Sequence, residues 1–459
     1  MAGIGFELQK VLKQGGIGSF FKVILAGSMV VAGPWILTIL GIFFIGKFAE
    51  SELAQFYKLF TAAIVYSYAF SLIFFGGTHY IFTRYIADLI YEDKNREAGS
   101  ALIAFSLIVT LVAGVIGTLS VISLHISYMP YNLLYKISAV VLFIVINITW
   151  LLMIFISLLK RFMAIFILYV TGMAISFVAV KVLGHSFMTG GALLGYALGQ
   201  TFIVFSLFFL VFKEYKPGKL VFADFFRYTG RFKYLLLSGI LYYWGMWVDK
   251  IVFRSMLGTG IQGTFFRLFD RYDIPVYLAN LTIIPGMIYY IIVTEIDFYL
   301  HLKEFLQGLH NSMYRHIQQK KYAMLNSIKT GLREQGFFQG ILTAVFILLS
   351  ANISRLLFNG TLDVPTLQIV LGGVFFHFML LTLLIYLFYL ELYVYAFYAS
   401  AVFFGVNLVL SILIAYYRLY NLLGLSYLAG GVFASVLALV LLMGSARYAD
   451  KILYVRNST

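Results

Sequence analysis

Charged and aromatic residues occur together inside an otherwise apolar stretch of this chain. Residues 244–254 read WGMWVDKIVFR within a hydrophobic run that extends from 234 to 257. Tryptophan faces pack well on sugar rings and on cations, and charged groups hydrogen-bond hydroxyls. Charges inside lipid are costly and often mark a polar pathway. We therefore take as path-lining candidates Trp244, Trp247, Asp249, Lys250 and Arg254.

Helical spacing divides this set between two faces. Lys250 and Arg254 are four residues apart and share a face with Trp247, whereas Asp249 projects about 100° away. Two interpretations remain open. The charges either line a water-filled path, or they form a neutralised cluster that reaches the membrane surface or joins two helices.

Two prolines lie inside predicted spans. Pro34 stands midway along the first span in the sequence Gly33–Pro34–Trp35, and Pro285 lies inside the eighth. Proline removes a backbone hydrogen bond and kinks a helix. Interrupted spans in both halves of a chain are typical of transporters. We predict helix breaks at both prolines and add Trp35 to the path candidates, although kinks that serve only packing are the alternative.

Other charges lie at predicted span ends. The sequence RLFDRYDIP at 267–275 places Asp270, Arg271 and Asp273 in a predicted external loop, as a solvated ion-pair cluster or an exit lip. Glu391, at the end of the tenth predicted span, is either a further path candidate or an interfacial helix end.

The elements that position these residues are predicted from composition. The chain has 459 residues, of which 62% are hydrophobic and only 11% charged, whereas soluble domains carry about 25% charged residues. Apolar stretches of helical length recur along the whole chain, each able to cross a hydrocarbon core of about 30 Å. We predict an all-α polytopic membrane protein.

Hydropathy predicts twelve spans. They lie near 18–46, 56–77, 99–122, 137–159, 162–183, 190–212, 234–257, 274–295, 336–358, 367–391, 394–417 and 423–446. The amino terminus, the even-numbered connections and the tail hold 23 Lys and Arg residues, whereas the odd-numbered connections and their flanks hold nine. Because cytoplasmic loops are enriched in Lys and Arg, both termini are predicted to be cytoplasmic. The net charge of +14 then follows from topology, and nucleic-acid binding is not needed to explain it.

The chain is predicted to divide at a basic linker. Residues 1–212 would form an amino-terminal lobe with an amphipathic start and six spans, and 213–233 the cytoplasmic linker. Residues 234–459 would form a carboxyl-terminal lobe with six more spans. A 6+6 arrangement is typical of transporters built from two lobes.

One cytoplasmic segment, 296–335, shows apolar residues at helical spacing and a basic polar face, which predicts an amphipathic helix or hairpin. It lies either on anionic lipid or against a cytoplasmic partner. The candidate docking residues are Phe298, Leu302, Phe305, Leu309, Met313 and Ile317.

Enzyme signatures are missing from the sequence. Cysteine is absent, which removes thiol chemistry. No phosphate-binding loop, HExxH or GxSxG motif occurs, and no two histidines are four residues apart as a helical metal site requires. We predict neither catalysis nor a metal or cofactor.

Five motifs resemble a known family. GIGFEL (3–8), AGPW (32–35), WVDK (247–250), RYDIPVYLANLTIIPG (271–286) and TEIDFY (294–299) are similar to the PelG family of Pel exopolysaccharide export components. That family lies in the MOP flippase superfamily with MATE and Wzx-type transporters. The resemblance implies twelve helices in two six-helix lobes around a central cavity. It also implies transfer of a nascent amino-sugar polymer across the bacterial inner membrane. The implied partners are a cytoplasmic glycosyltransferase (PelF-like) and membrane proteins (PelD- and PelE-like).

The chain departs from one pattern of these relatives. MATE antiporters often use acidic residues in the amino-terminal lobe for cation coupling, but the apolar cores of the first six predicted spans contain no Asp or Glu. We therefore expect polymerisation to drive export. The alternatives are a cation-coupled antiporter or flippase for a small drug or a lipid-linked oligosaccharide, and a membrane scaffold for the synthase.

Overall fold

A computed structural model describes residues 45–46, 53, 56–159, 162–219, 223–311 and 313–446. The predictions for Pro34, Trp35 and the amphipathic start lie outside the described residues. The described chain is almost entirely helical, with one two-stranded hairpin.

The first four described helices cover five predicted spans. They are α1 (Tyr57–Tyr91), α2 (Asn95–Ile122), α3 (Asn132–Leu159) and α4 (Phe162–Glu214). Helix α4 has 53 residues and contains non-helical backbone at Phe187 and Met188. A Cβ added at Gly199 would lie 2.0 Å from the Ser176 hydroxyl oxygen. The two halves of α4 therefore fold back on each other at glycine contacts, as small residues allow in membrane helices. They correspond to the predicted fifth and sixth spans.

The predicted linker contains a docked helix. Helix α5 (Ala223–Arg231) comes after the non-helical residues 215–219. The backbone N–H of Gly218 donates to the Ser100 hydroxyl at 2.7 Å, and Tyr228 donates a hydrogen bond to Asp88 of α1. Burial is the larger cause that raises the pKa of Tyr228, and the hydrogen bond to Asp88 raises it further. The linker thus continues the packing of the helices before it.

The middle of the chain carries the predicted seventh and eighth spans. Helix α6 (Lys233–Leu257) leads into the antiparallel hairpin of β1 (Thr259–Gly260) and β2 (Arg267–Leu268). Then come α7 (Asp270–Leu281), α8 (Ile283–Tyr289), a π-helix (Tyr290–Glu295) and α9 (Ile296–Asn311). Helix α7 ends at Leu281, whose carbonyl would have bonded the N–H that Pro285 lacks.

Four helices and a short turn complete the described chain. They are α10 (Tyr314–Phe358), α11 (Val364–Tyr389), α12 (Tyr393–Tyr416), a 3₁₀ turn (Tyr420–Leu422) and α13 (Leu425–Ala446). Helix α10 has 45 residues and would be about 68 Å long, which exceeds one bilayer crossing. It joins the second half of the predicted amphipathic segment to the predicted ninth span.

Eight described helices are long and apolar enough to span a membrane, or nine if the bent pair around residue 290 is one span. Helix α4 is counted once among these eight helices, although its two halves correspond to two predicted spans. The more polar α6 is not among the eight, because its charges lower its hydropathy. Each predicted span from the second to the twelfth thus coincides with a described helix or half-helix.

The described chain forms two compact units. The carboxyl-terminal unit contains Trp244–Leu257 and the chain from Phe269 onward. The amino-terminal unit contains the chain up to Tyr243 together with Gly258–Leu268, the segment that carries the hairpin. The lobe boundaries drawn from sequence at 212 and 234 remain a prediction.

Aromatic packing fills the amino-terminal unit. Phe82 and Phe105 stack with centroids 4.7 Å apart, and Phe225 of α5 packs against both. A second core surrounds Tyr135, whose buried hydroxyl donates to the Leu59 carbonyl at 2.9 Å. Buried tyrosines in a membrane protein are stabilised when such hydroxyls find acceptors.

Candidate functional site

The charges of α6 meet inside the carboxyl-terminal unit. The side chain of Asp249 is fully buried. It accepts hydrogen bonds from the Lys250 ammonium at 3.1 Å to each carboxylate oxygen, and from the Tyr272 hydroxyl of α7. The ammonium also donates to the Met246 carbonyl at 2.9 Å. Helical spacing had separated Asp249 from Lys250, but the long lysine side chain turns back to reach its neighbour.

Two aromatic rings lie near the ammonium of Lys250. Its Nζ lies 4.6 Å from the centroid of the Tyr427 ring and 6.0 Å from that of Trp247. Tyr427 in turn packs beside His377 and Phe403 at 5.5 and 5.9 Å. Cation–π attraction strengthens when the site is desolvated. The rings therefore help to hold the positive charge away from water.

A second ion pair joins α6 to α7. Arg254 donates from Nε to both oxygens of Asp273, at 3.1 and 3.0 Å. Asp273 also accepts from the backbone N–H of Phe269 at 3.2 Å, which closes the first turn of α7. We call Asp249, Lys250, Arg254, Tyr272 and Asp273 the ion-pair cluster. Its two acids and two bases balance in charge, as buried ions require.

The three exit-lip candidates begin a helix instead of lying in a loop. Asp270, Arg271 and Asp273 occupy the first turn of α7. Arg271 pairs with Asp363 and lies 5.1 Å from the Tyr420 ring. Asp363 caps α11 by accepting from the Thr366 N–H at 3.2 Å. Asp270 and Arg271 are exposed, whereas Asp273 is partly buried because it pairs with Arg254 and accepts the Phe269 N–H.

The two tryptophans of α6 differ in exposure. Trp244 is 38% exposed and makes an edge contact with Phe404. Trp247 is half-buried, and its indole N–H has no hydrogen-bond partner among the described residues. Of the α6 candidates, these two rings offer a surface, whereas Asp249, Lys250 and Arg254 are buried.

Glu391 lies at the opposite end of α11 from Asp363, the partner of Arg271. It occupies the turn between α11 and α12 with a positive φ of 56°. Asp363 caps the opposite end of α11, and a helix of 26 residues is about 39 Å long. The structure therefore does not bring Glu391 together with the residues around Arg271.

The docking candidates are mostly covered by the chain itself. Helices α9 and α10 form a hairpin in which four of the six are buried, namely Phe298, Leu302, Phe305 and Leu309. Phe298 packs edge-on against Tyr386 of α11 at 4.8 Å. Ile317 is half-buried, and Met313 is 79% exposed. The apolar periodicity therefore reflects packing within the unit, and a partner would meet other side chains of this hairpin.

Tertiary contacts add residues that the sequence had not singled out. Tyr272 and Tyr427 complete the surroundings of Asp249 and Lys250. Asn407 of α12 donates to the Gly245 carbonyl of α6 at 2.8 Å. A polar amide inside an apolar span was a signal for Asn407. Nothing in the spacing distinguishes Tyr427 from the other tyrosines, of which the chain has 34.

The fold is that of MATE transporters. It is similar to the Vibrio cholerae MATE transporter VcmN in its bent form, with a TM-score of 0.62 and 14% identity over 98% of this chain and 99% of that chain. An outward-facing multidrug resistance MATE transporter of the MOP superfamily matches with a TM-score of 0.59 and 12% identity, over 93% and 96% of the two chains. A MOP superfamily transporter from Pyrococcus furiosus gives the same values. The predicted fold class, an all-α polytopic membrane protein of the MOP/MATE type, is confirmed by this similarity.

Curated protein sequences contain no match to this chain. A family model does match, over residues 1–454, with the description "PelG: Putative exopolysaccharide Exporter (EPS-E)". Family and fold are those of a multi-pass membrane transporter and not of an enzyme. Since the matching model spans nearly the whole sequence, this chain belongs to the PelG family of exopolysaccharide exporters.

Proposed function

We propose that the chain moves a nascent amino-sugar polysaccharide of the Pel type across the bacterial inner membrane, with both termini in the cytoplasm. The observation that carries this proposal is the family match over residues 1–454. The excess of Lys and Arg at the amino terminus, the even-numbered connections and the tail supports the orientation.

The tryptophans of α6 supply the polymer contact in this proposal. Trp244 offers an exposed ring, and the ring of Trp247 is half-buried beside Lys250. A sugar ring presents an apolar face, which packs on aromatic rings of this kind. The ion-pair cluster does not contact the polymer in this proposal. Its hydrogen bonds hold α6 against α7 and so orient both tryptophan rings.

The hairpin of α9 and α10 is the proposed cytoplasmic docking surface. Met313, Tyr314 and Tyr322 are 79%, 74% and 73% exposed, and Lys320 and Lys321 lie on the same helical stretch. We infer that a PelF-like glycosyltransferase approaches here, with PelD- and PelE-like proteins in the membrane. Anionic lipid is the competing occupant of the basic residues.

Export by cells tests the proposed function. In a strain lacking the native gene, complementation with Trp247→Ala should lower extracellular polymer about threefold to tenfold, which corresponds to one lost ring–sugar contact. Polymer retained in the cells should rise, because synthesis continues. Phe433→Ala is the control, since this aromatic residue is also exposed (59%) but lies on α13.

Normal export by Trp244→Ala, Trp247→Ala and the double variant, at equal membrane levels, would remove both rings from the path. Export that persists in the deletion strain would exclude the transport role itself.

The MATE-like fold favours one second candidate, a cation-coupled antiporter for a small drug or lipid-linked oligosaccharide. That function predicts drug resistance or labelled-oligosaccharide flipping by the purified protein in liposomes. Polysaccharide export without either activity would favour the first proposal.

A further inference from the structure

A second group of buried polar residues lies where the predicted eighth span is broken. The helix pair Asp270–Tyr289 and Val293–Leu309 bends by 41°, and the π-helix Tyr290–Glu295 occupies the bend. A π-helix shifts the backbone hydrogen-bond pattern and is frequent at functional sites. Broken spans also supply ion-binding oxygens in several transporter folds.

Side-chain oxygens converge on this break. Glu295 is only 3% exposed and accepts a hydrogen bond from the Tyr389 hydroxyl at 2.8 Å. The buried hydroxyls of Tyr290, Thr294 and Tyr386 find no hydrogen-bond partner in the described part of the chain. Tyr290 is close enough to Glu295 and Tyr386 to interact with both electrostatically.

Helix α10 closes the site from the other side. A Cβ added at Gly331 would lie 2.5 Å from Thr294 Cγ2 and 2.9 Å from the Tyr386 hydroxyl, so both side chains press against this glycine. One turn further on, Gln335 donates to Thr382 at 2.6 Å. Its amide oxygen is buried and accepts no hydrogen bond from any described residue. We call Tyr290, Thr294, Glu295, Gln335, Tyr386 and Tyr389 the oxygen cluster.

Unsatisfied buried polar groups are costly, at about 1–3 kcal/mol each, and several in one place point to a missing partner. The partner must suit one carboxylate, one amide oxygen and hydroxyls, with no nitrogen or sulfur ligand in this set. Hard cations prefer such oxygens. Among the described residues, no group of three or more His, Asp or Glu side chains is placed to hold a metal ion. A single carboxylate fits a monovalent ion.

We propose that the oxygen cluster binds a sodium ion. The ion bridges the π-helix, α10 and α11, and its contacts with Thr294 and Glu295 depend on the bend of the span. This site lies in the carboxyl-terminal unit, unlike the amino-terminal acids that MATE antiporters often use. It requires no particular cargo, and it would stand even if the polysaccharide were not the transported molecule.

Binding of ²²Na⁺ to the purified full-length protein in detergent tests the site directly. At constant ionic strength, held with choline chloride, the wild type should bind about one sodium ion saturably. Glu295→Gln, which keeps an acceptor for Tyr389, should weaken binding at least tenfold. Thr294→Val and Tyr386→Phe keep the side-chain shapes and should each weaken it severalfold.

Glu304→Gln is the matched control. It removes an exposed carboxylate nine residues further along the chain, on α9, and it should leave sodium binding unchanged. The proposal is wrong if the wild type binds no sodium, if Glu295→Gln binds as well as the wild type, or if Glu304→Gln loses as much affinity as Glu295→Gln. The thermal midpoint of each variant without sodium shows that the variants are folded.

Discussion

The ion-pair cluster and the oxygen cluster are both buried in the carboxyl-terminal unit, but their polar atoms are used differently. Asp249 receives hydrogen bonds from Lys250 and Tyr272, and Arg254 bonds both oxygens of Asp273. In the oxygen cluster, three hydroxyls and an amide oxygen have no partner among described residues.

This difference separates structural from ligand-binding use of buried polar groups. A neutral, fully bonded ion cluster gains little from a ligand, because binding would first break existing bonds. Unpartnered oxygens gain from any cation that replaces the water they lost. The charges in the sequence indicated α6 as the candidate binding element. The buried polar atoms without hydrogen-bond partners indicate the π-helix and its neighbours as a ligand site.

Removing the base of the ion-pair cluster should have the largest effect. Lys250→Met leaves Asp249 buried without its cation, and we expect a loss of about 3–5 kcal/mol in the free energy of unfolding. Unfolding in mixed micelles measures it. The double variant Asp249→Asn/Lys250→Met should recover most of that loss, because no charge remains uncompensated.

Lys303→Met, at an exposed position on α9, controls for the loss of a lysine and should be near neutral. If Lys250→Met were equally mild, the ammonium would not be neutralising Asp249.

The same substitution made in both clusters sharpens the comparison. Tyr272→Phe removes a hydrogen bond to a carboxylate and should cost about 1.5–3 kcal/mol. Tyr386→Phe removes a hydroxyl without a described partner, and it should be neutral or stabilising in sodium-free buffer. The two unfolding curves, recorded without sodium, check this order. Equal losses would mean that the clusters do not differ in hydrogen bonding.

Gly331 tests the packing of the oxygen cluster. Gly331→Ala places a methyl group against Thr294 and Tyr386, and overpacking of this kind costs about 1–3 kcal/mol. Thermal unfolding measures the loss. Gly444→Ala is the control, because nothing lies within 4 Å of its added Cβ. A stabilised Gly331→Ala variant would show that the side chains around Gly331 can separate without cost.

The smallest effect is expected at the edge of the ion-pair cluster. Asp363→Ala removes the cap of α11 and the pair with Arg271, with a loss of about 1 kcal/mol. Asp363→Asn should retain most stability, since asparagine also caps helices. A larger loss of stability in Asp363→Asn than in Asp363→Ala would contradict the capping role. Chemical denaturation resolves the two variants.

Hydropathy predicted the helical spans well because lipid requires long apolar helices. It placed the second to twelfth spans on described helices, including the two halves of α4. The candidate residues were predicted less well. Periodicity of Phe298, Leu302 and Phe305 indicated a buried face correctly, but it could not tell whether a partner or the chain itself covers that face. Here α10 and α11 cover it.

Sequence alone determined that this chain crosses a membrane many times and that α6 carries charges which need compensation, because both follow from the cost of polar groups in lipid. Its motifs also indicated the family. Only the tertiary structure decided how the charges are compensated, since Tyr272, Asp273 and Tyr427 reach Asp249, Arg254 and Lys250 from other helices. It also revealed the oxygen cluster, because hydrogen-bond satisfaction depends on distances between helices that no spacing along one helix encodes.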